Sequence, residues 1–527
     1  MASVMQQRLM LLAGVAGVAL SASPAVAQSQ PPATGADRTA VLEERVRQLE
    51  EALRDVRQEL NATRQQQTPQ LQAQAQPGQT QTPPQSVTGV PPQPSETTTA
   101  ENAAAPAVPA TTAQAAAQTA AVTAVEPAAG PREKSAASQS AQNQPPGTGF
   151  RIGNTTFRLS GFIKADAMVS DYSKGDTATN TLGRDFYLPQ FIPVDDTPGA
   201  GEGVDFDAHA KQTRIVLNTD TPMDGKTVSA HIEADFQTSP GTQGSERTTN
   251  GYNFALRRAF ITYDGWIFGQ EWSNFQNVTV LPEAADFVGV TEGTVFVRQM
   301  QARYTRQLSD QFTLSFALEN PETASITPTS AVMIENDDDH IPDATVRLVW
   351  SPTFGQFSLA GLARQLSVNS PQDNAKKFGW GASVAGRVPF GKDGPYDVRF
   401  MLTYGQGASR YVGFNFAPDV IYVMDPATGA GDMETVDVLA GFIAFRVGFT
   451  EKLRGNIMGS FQDVDYPSNG IAPLDANELA RSIAVNLFYS PVKPLDLGIE
   501  YRYGQRKLLS GDKGSLNRVQ VVAKHAF

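Results

Sequence analysis

Polar and apolar residues alternate along much of the chain between residues 149 and 527. In one run, Val228, Ala230 and Ile232 share one face, while His231 and Glu233 lie on the other. Because successive side chains of an extended strand point to opposite faces, this period of two residues predicts a half-buried β-strand. Sixteen such runs lie near residues 156–170, 209–220, 226–238, 254–263, 266–272, 294–307, 311–320, 342–350, 355–369, 376–389, 396–409, 434–449, 452–465, 479–490, 494–506 and 516–527.

The connections between these runs differ in length in a regular way. Short turns such as Asp264-Gly265 and Thr450-Glu451 alternate with long connections, of which 171–208 is the longest. An even number of strands with short turns at one end and long loops at the other is typical of outer-membrane barrels. We therefore predict an all-β fold for residues 149–527, a sixteen-stranded antiparallel transmembrane β-barrel. A soluble β-sandwich or propeller is the alternative, but neither needs so many long strands.

Residues 1–27 have the three parts of a cleaved secretory signal peptide. Arg8 precedes an apolar stretch over 9–20, and Ala25-Val26-Ala27 supplies the A-x-A cleavage site. The stretch is too short to span a bilayer, which disfavours the alternative of an N-terminal anchor helix. No later segment approaches the ~18 apolar residues of a membrane helix. An exported chain of this kind enters a membrane only as a barrel.

A heptad repeat follows over residues 39–64, and it predicts a short α-helical coiled coil. Its apolar positions, spaced alternately by four and three residues, are Leu42, Val46, Leu49, Leu53, Val56 and Leu60. A single amphipathic helix lying on another surface is the alternative. Residues 65–148 are rich in Gln, Pro, Ala and Thr, with few charges and almost no large apolar side chains. They cannot bury enough apolar surface to offset the entropy of ordering, so we predict a disordered linker.

Composition excludes several classes of function. The chain has no cysteine, which rules out a disulfide framework, Cys-ligated zinc, an iron–sulfur cluster and a cysteine nucleophile. A formal net charge of −12 argues against nucleic acid as a partner. The four His lie on different elements and show no persuasive Ser partner. We therefore predict no enzyme and no cofactor, with a barrel-embedded lipase as the enzyme alternative.

The acidic cluster Asp337-Asp338-Asp339-His340 offers carboxylates of the kind that bind divalent cations. It lacks the Gly and the distal Glu of a dedicated calcium loop. We interpret it as a solvated loop apex and predict no metal site.

The strand phases place many basic residues on the face opposite the apolar one. Sixteen strands enclose an aqueous lumen, and fixed charges on a lumen wall select ions. We predict that this wall carries Arg158, Lys164, Arg214, Arg303, Arg347, Arg364, Arg387, Arg399 and Arg502, with Arg454 in the same phase. The alternative is that each pairs with an inward acid, as Lys164 with Asp166, and only stiffens the wall. The phase of Arg257 and Arg258 is left open.

The connection 273–293 is too apolar for an exposed loop. We predict that it folds into the barrel and narrows it. Glu283 and Asp286 would then face the basic wall across an eyelet of opposite charges. A contact with a neighbouring subunit is the alternative role for this loop.

Two sequence blocks are distinctive. The first is Gly161-Phe162-Ile163-Lys164-Ala165-Asp166-Ala167 in the first predicted strand. The second consists of Gly269-Gln270-Glu271-Trp272-Ser273-Asn274-Phe275, Leu281-Pro282-Glu283, Asp286-Phe287, Val297-Arg298-Gln299 and Gln301-Ala302-Arg303-Tyr304. Both blocks resemble the DcaP-like trimeric outer-membrane porins, and the order of signal, heptad, linker and barrel is also similar.

The resemblance implies a homotrimer in the bacterial outer membrane, surrounded by outer-membrane lipid, with the coil and the linker in the periplasm. It implies passive uptake of small organic anions, dicarboxylates above all. Two positions depart from the family pattern: Glu271 stands where a small polar residue is expected, and Met300 where Pro is expected. An inward Glu271 would weaken a strict dicarboxylate preference.

Two other functions compete with the anion porin. One is a phosphate-type or weakly selective general porin. The other is a structural tether, in which the coil contacts a periplasmic partner or the cell wall. The sequence leaves both open.

Overall fold

The computed structural model describes residues 149–179, 181–195, 204–237, 250–369, 374–391, 394–425, 427–468 and 471–527. The predicted signal peptide, coiled coil and linker lie outside the described residues. Within these ranges, the structure contains no helix that is both long and apolar enough to cross a membrane.

Strands dominate the described chain. In chain order they are β1 Phe150–Ile152, β2 Thr155–Tyr172, β3 Val204–His209, β4 Arg214–Met223, β5 Lys226–Asp235, β6 Ala255–Tyr263, β7 Trp266–Trp272, β8 Arg298–Gln307, β9 Phe312–Glu319, β10 Ala324–Thr327, β11 Ser330–Glu335, β12 Asp343–Trp350, β13 Gln356–Asn369, β14 Asn374–Phe390, β15 Tyr396–Gln406, β16 Val420–Met424, β17 Gly431–Thr435, β18 Asp437–Gly448, β19 Leu453–Asp465, β20 Asn477–Val492, β21 Leu495–Leu508 and β22 Lys513–Ala526. The helical pieces are one short α-helix, α1 Leu182–Asp185, and 3-10 turns at Pro189–Phe191, Val278–Val280, Thr291–Gly293 and Ser409–Tyr411.

Sixteen strands close into one antiparallel barrel, so the predicted fold class is confirmed for this part of the chain. The wall consists of β2, β4 to β9, β12 to β15 and β18 to β22. The last strand, β22, pairs with β2 over residues 162–172. Below this seam, Gly161 and Phe527 exchange two backbone hydrogen bonds of 3.0 Å. Each of the sixteen predicted runs overlaps one wall strand.

Several boundaries differ from the sequence prediction. Wall strand β4 begins at Arg214, because residues 204–209 form a separate strand, β3, that pairs with β2. Wall strand β8 begins at Arg298, because the residues before it continue the preceding loop, where Val295 bridges to Val412. Connections that we predicted as loops contain a four-stranded sheet, in the order β11-β10-β16-β17.

The two rims of the barrel differ as predicted. The turns that join β4 to β5, β6 to β7 and β18 to β19 are short and define the short-turn rim, whereas the long connections define the long-loop rim. Aromatic side chains gather at the short-turn rim, where Phe390 stacks on Tyr396 and on Phe445 with ring centroids 5.6 and 5.9 Å apart. Such aromatic belts lie at the membrane interfaces of barrels.

Three segments of the long connections fold inward and build a hydrophobic core inside the barrel. We call them the first insert (181–192), the inserted loop (273–293) and the last insert (408–417). They pack on apolar lumen-facing residues of β13 to β20, including Ala360, Met401, Ala440 and Met458. The outward residues of these strands are also apolar, as lipid contact requires; Ile443, for example, is 62% exposed. Where the inserts pack, these strands are therefore apolar on both faces.

The inserted loop fits closely against this wall at Gly293. A Cβ atom at Gly293 would lie 2.3 Å from the carbonyl oxygen of Gly441 on β18. At Gly459 on β19, the nearest atom to an added Cβ, the carbonyl oxygen of Ser482, would be 3.7 Å away, an ordinary contact.

We expect Gly293→Ala to destabilise the barrel, because overpacking against a backbone atom costs about 1–3 kcal/mol. Thermal unfolding of the refolded protein, followed by circular dichroism, measures this effect. Gly459→Ala is the matched control and should leave the unfolding midpoint nearly unchanged. Equal midpoints for the two variants would contradict the position of the inserted loop.

Candidate functional site

The inserted loop crosses the barrel interior and is tied to the wall on several sides. Near its start, Ser315 on β9 donates its hydroxyl to the side-chain oxygen of Asn274 at 2.6 Å. Farther along, the amide of Ala285 donates to Glu500 on β21 at 2.8 Å. Lys164 on β2 donates to the carbonyl of Ala285 at 2.6 Å. The loop therefore lies inside the barrel, as its apolar composition led us to expect.

The two predicted acidic residues of this loop have different partners. The Glu283 carboxylate accepts two hydrogen bonds from Arg454 at 2.8 and 2.5 Å, and Arg454 also lies 3.0 Å from Asp496. Asp286 accepts from the backbone amide of Tyr187 at 2.8 Å and from two amides of its own turn at 3.1 and 3.2 Å. Glu283 thus contacts a basic residue of the wall, whereas Asp286 accepts hydrogen bonds from backbone amides of the first insert and of its own turn.

The first insert is tied to both the inserted loop and the wall. Thr291 donates its hydroxyl to the carbonyl of Tyr187 at 3.1 Å. Burial raises the pKa of the Glu292 carboxyl above its ordinary value, while Ser482 and Arg502 favour its charged form. These contacts make the two segments one packed unit.

Arg184 of α1 in the first insert lies among three carboxylates. The distances from its guanidinium are 3.1 Å to Asp176, 3.3 Å to Asp205 and 3.5 Å to Asp207. Burial raises the pKa of Asp207, and the charge of Arg184 opposes this rise. Asp205 and Asp207, both on β3, therefore anchor the first insert.

All nine predicted basic wall residues lie on the lumen side, and seven of them pair with carboxylates. The ion pairs are Arg158 with Asp220, Lys164 with Asp166, Arg214 with Glu233 and Asp235, Arg364 with Asp343 and Asp419, Arg387 and Arg399 with Asp397, and Arg502 with Glu500. For these seven residues, the geometry matches the alternative interpretation, in which each pairs with an inward acid and stiffens the barrel wall. Arg399 and Lys164 also donate to carbonyls of the inserted loop.

Arg303 and Arg347 differ from the other seven. Within the described part of the chain, neither forms an ion pair with a carboxylate, and their Nε atoms are buried without a hydrogen-bond partner. Arg347 donates to the carbonyl of Gln276 at the start of the inserted loop. Their residues are only 4% and 7% exposed. A buried charge without a partner is costly, so these two guanidinium groups are the least compensated of the nine.

Arg298 shares this property and was missed by the sequence analysis. It is 7% exposed, and all three of its side-chain nitrogens are buried without a hydrogen-bond partner. Its guanidinium lies over the ring of Trp272, 5.1 Å from the centroid. The strand phase groups Arg298 with the outward Met300, so alternation alone gave no signal. Its place at the first residue of β8, directly after the inserted loop, was the available clue.

A β-bulge determines the direction in which the side chains of Arg257 and Arg258 point. The pairing of β5 with β6 shifts after Glu233, which leaves Arg257 as the extra residue. Both arginines consequently point inward and bind Glu233, at 2.7 and 3.0 Å. Arg258 also binds Glu271 at 2.6 Å.

These residues form one continuous charged surface, which we call the arginine wall. It consists of Arg214, Arg257, Arg258, Arg298, Arg303 and Arg347 on β4, β6, β8 and β12. The carboxylates interleaved with them are Glu233, Asp235, Glu271 and Glu319. Six guanidinium groups thus face four carboxylates, and the surplus charge is positive.

The predicted loop apex at 337–340 has ordinary loop contacts. Asp338 accepts from the Asn369 amide at 2.8 Å, and Asp339 accepts from the Thr323 hydroxyl at 2.9 Å. Among the residues that the structure describes, no group of His, Asp and Glu side chains is arranged to hold a metal ion.

Comparison with known proteins identifies the family. The sequence profile of the DcaP outer membrane protein family matches residues 137–527. The chain belongs to this family. The resemblance seen in the sequence is therefore confirmed, and the protein is an outer-membrane porin by family and fold. No curated protein matches the chain significantly.

Several solved structures are similar to this chain. The outer membrane channel DcaP of Acinetobacter baumannii is 26% identical, with a TM-score of 0.58, over 72% of this chain and 99% of that one. OmpT of Vibrio cholerae is 10% identical, with a TM-score of 0.43, over 72% of this chain and all of that one. An anion-selective porin from Comamonas acidovorans is 12% identical, with a TM-score of 0.43, over 71% of this chain and all of that one.

Glu271 has a definite place in this site. The structure turns it inward, 3% exposed, where Arg258 holds both of its carboxylate oxygens at 2.7 and 2.6 Å. Its negative charge is largely compensated by Arg258, so it reduces the positive potential of the arginine wall less than a free carboxylate would.

We expect Glu271→Gln to increase the permeability of anions relative to cations. A unit charge about 7 Å from a permeant ion contributes about 0.6 kcal/mol in water. Removal of the Glu271 charge should therefore raise the ratio of anion to cation permeability roughly twofold to threefold. The reversal potential of the purified protein in a planar bilayer under a KCl gradient measures this ratio. Glu335→Gln, at an exposed carboxylate on β11, is the control and should change little. An unchanged ratio in Glu271→Gln would contradict the inward placement of this charge.

Proposed function

We propose that the protein is a passive channel for small organic anions, with dicarboxylates as the preferred class. The observation that carries the proposal is the surplus of buried guanidinium groups on the arginine wall. Arg298, Arg303 and Arg347 have no carboxylate partner among the described residues, whereas the other basic wall residues do. Rings and ladders of fixed charge select the permeant ion in a pore.

The arrangement of two of these arginines supports a dianion. Arg303 lies on β8 and Arg347 on β12, with only β9 between them. On β9, Arg303 lies opposite Ala317 and Arg347 lies opposite Ser315, so the two positions are two strands and two residues apart. With about 4.8 Å between strands and about 3.4 Å per residue, the two backbone positions are roughly 12 Å apart. A guanidinium presents a planar fork that matches a carboxylate. A dicarboxylate can offer one carboxylate to each arginine, whereas a monocarboxylate engages only one.

The paired basic residues have a different role in this proposal. Lys164 and Arg399 hold the inserted loop by its carbonyl groups, and Arg454 holds Glu283. They keep the loop across the lumen, where it narrows the path past the arginine wall. A phosphate-type pore would need a longer unpaired basic ladder than these side chains provide.

The rest of the proposal concerns assembly. We place the short-turn rim in the periplasm and the long-loop rim outside the cell, as is general for outer-membrane barrels. The protein then functions as a homotrimer, with its coiled coil and linker in the periplasm. The family membership and the heptad over 39–64 support this arrangement.

We expect succinate to block the ion current and Arg303→Gln with Arg347→Gln to abolish most of that block. A hydrogen bond to a charged group contributes about 1.5–3 kcal/mol, so each substitution should weaken block about tenfold or more. Current through the purified protein in a planar bilayer, measured against succinate concentration, tests this.

Arg387→Gln is the matched control, since Arg387 is a lumen arginine paired with Asp397. It should keep native block within about twofold, because its charge is already compensated. A weakly selective general porin would show no succinate block in any variant. Equal loss of block in all variants would mean that total charge, and not the unpaired arginines, determines solute preference.

A further inference from the structure

A second cavity in the barrel lies between the inserted loop and the ends of β20, β21 and β22 at the short-turn rim. The void is about 560 Å³ when its open mouth is included, which is enough for one small solute. The six residues of the arginine wall do not line it. We call this cavity the rim pocket and define it by Phe162, Gln212, Glu283, Phe488, Asp496 and Lys524.

Much of the lining of the rim pocket is apolar. Phe162 on β2, Phe488 on β20 and Val522 on β22 contribute from the wall, and Pro282 and Phe287 contribute from the inserted loop. Ligand pockets are usually of this kind, with apolar walls and a few polar groups that orient the ligand. The rim pocket can therefore hold the apolar body of a solute.

One hydrogen-bond donor of the rim pocket is not used within the described part of the chain. Gln212, between β3 and β4, is 4% exposed, and its side-chain oxygen accepts from Lys164 at 2.5 Å. Its Nε2 group is buried and has no hydrogen-bond partner. Lys164 is occupied, because it also donates to the carbonyl of Ala285 at 2.6 Å and lies 3.1 Å from Asp166. A buried donor without an acceptor is costly, so the Gln212 amide gains from an acceptor on a solute.

The rim pocket also presents both signs of charge. Lys524 on β22 lies directly opposite Asp496 on β21 in the strand register. Glu283 and Asp496 both bind Arg454, at 2.5 and 3.0 Å. Each carboxylate oxygen has two lone pairs, so these acids can accept further hydrogen bonds. A solute with a single charge meets a like charge in this pocket, whereas a solute with both charges can pair with each.

We propose that the rim pocket binds a small zwitterion with an apolar body, the chemistry of an amino acid with an apolar side chain. The solute carboxylate accepts from Gln212 and Lys524, and the solute ammonium donates to Glu283 and Asp496. The apolar side chain contacts the aromatic rings of the lining. This site goes beyond the anion channel of the proposed function, because it assigns a second class of solute to a cavity outside the arginine wall.

The test measures block of the ion current through the purified full chain in a planar bilayer. L-phenylalanine is the probe, and three analogues each lack one of its parts. Phenylpropanoate lacks the ammonium, phenethylamine lacks the carboxylate, and glycine lacks the apolar body. L-phenylalanine should block the native channel, and each analogue should block at least about threefold more weakly, because a contact to a charged or apolar group is lost.

Gln212→Glu removes the unused donor and keeps an oxygen for Lys164, so it should weaken block by L-phenylalanine at least about tenfold. Lys524→Gln should weaken this block about threefold or more. Lys524→Arg should keep it, which separates a lost contact from poor folding. Lys226→Gln is the matched control, since Lys226 lies at the same rim and pairs with Asp264 outside the pocket. It should leave the block native.

Native block in Gln212→Glu, or equal block by L-phenylalanine and phenylpropanoate, would overturn the proposal. The absence of block by L-phenylalanine in the native channel would also overturn it. Succinate should still block Gln212→Glu within about threefold of native, and L-phenylalanine should still block the double variant Arg303→Gln with Arg347→Gln. Failure of the rim pocket is therefore distinct from failure of the anion channel.

Discussion

The closure of sixteen strands determines the rest of this structure. A barrel of that size is too wide for wall side chains to fill, in contrast to an eight-stranded one. The chain fills part of the interior with the first insert, the inserted loop and the last insert, which share one hydrophobic core with β13 to β20. Burial of each large apolar side chain contributes about 1.5–3 kcal/mol, which is enough to hold these segments in place. The inserts therefore belong to the folded barrel and are not mobile covers.

The inserts also divide the lumen by chemistry. The apolar core lies against parts of β13 to β20, and the side formed by β4 to β12 carries the arginine wall. Positive charge on that side is not distributed evenly, because most basic groups lie within 3.5 Å of a carboxylate. Such pairs contribute little field at a distance. The three arginines without a carboxylate partner among the described residues, Arg298, Arg303 and Arg347, carry the surplus.

Much of the fold could be predicted from the sequence, because alternation is a local signal. Every predicted strand overlaps a wall strand, and the apolar composition of 273–293 correctly indicated insertion. The small sheet containing β10 and β16 could not be predicted, since its strands are short and pair across two separate connections. The ion pairs could not be predicted from the sequence either. Arg387 and Arg399 share Asp397 because of strand register, and Arg257 turns inward because of a bulge.

The most direct test of this account is the reversal potential of the native protein in a planar bilayer between two KCl concentrations. The surplus of buried guanidinium groups predicts a potential of the sign that marks chloride as the more permeant ion. The effect should be strongest at low salt, where the Debye length is longest. A potential that marks potassium as the more permeant ion, at any salt concentration, would contradict the central claim, because the arginine wall would then be fully compensated.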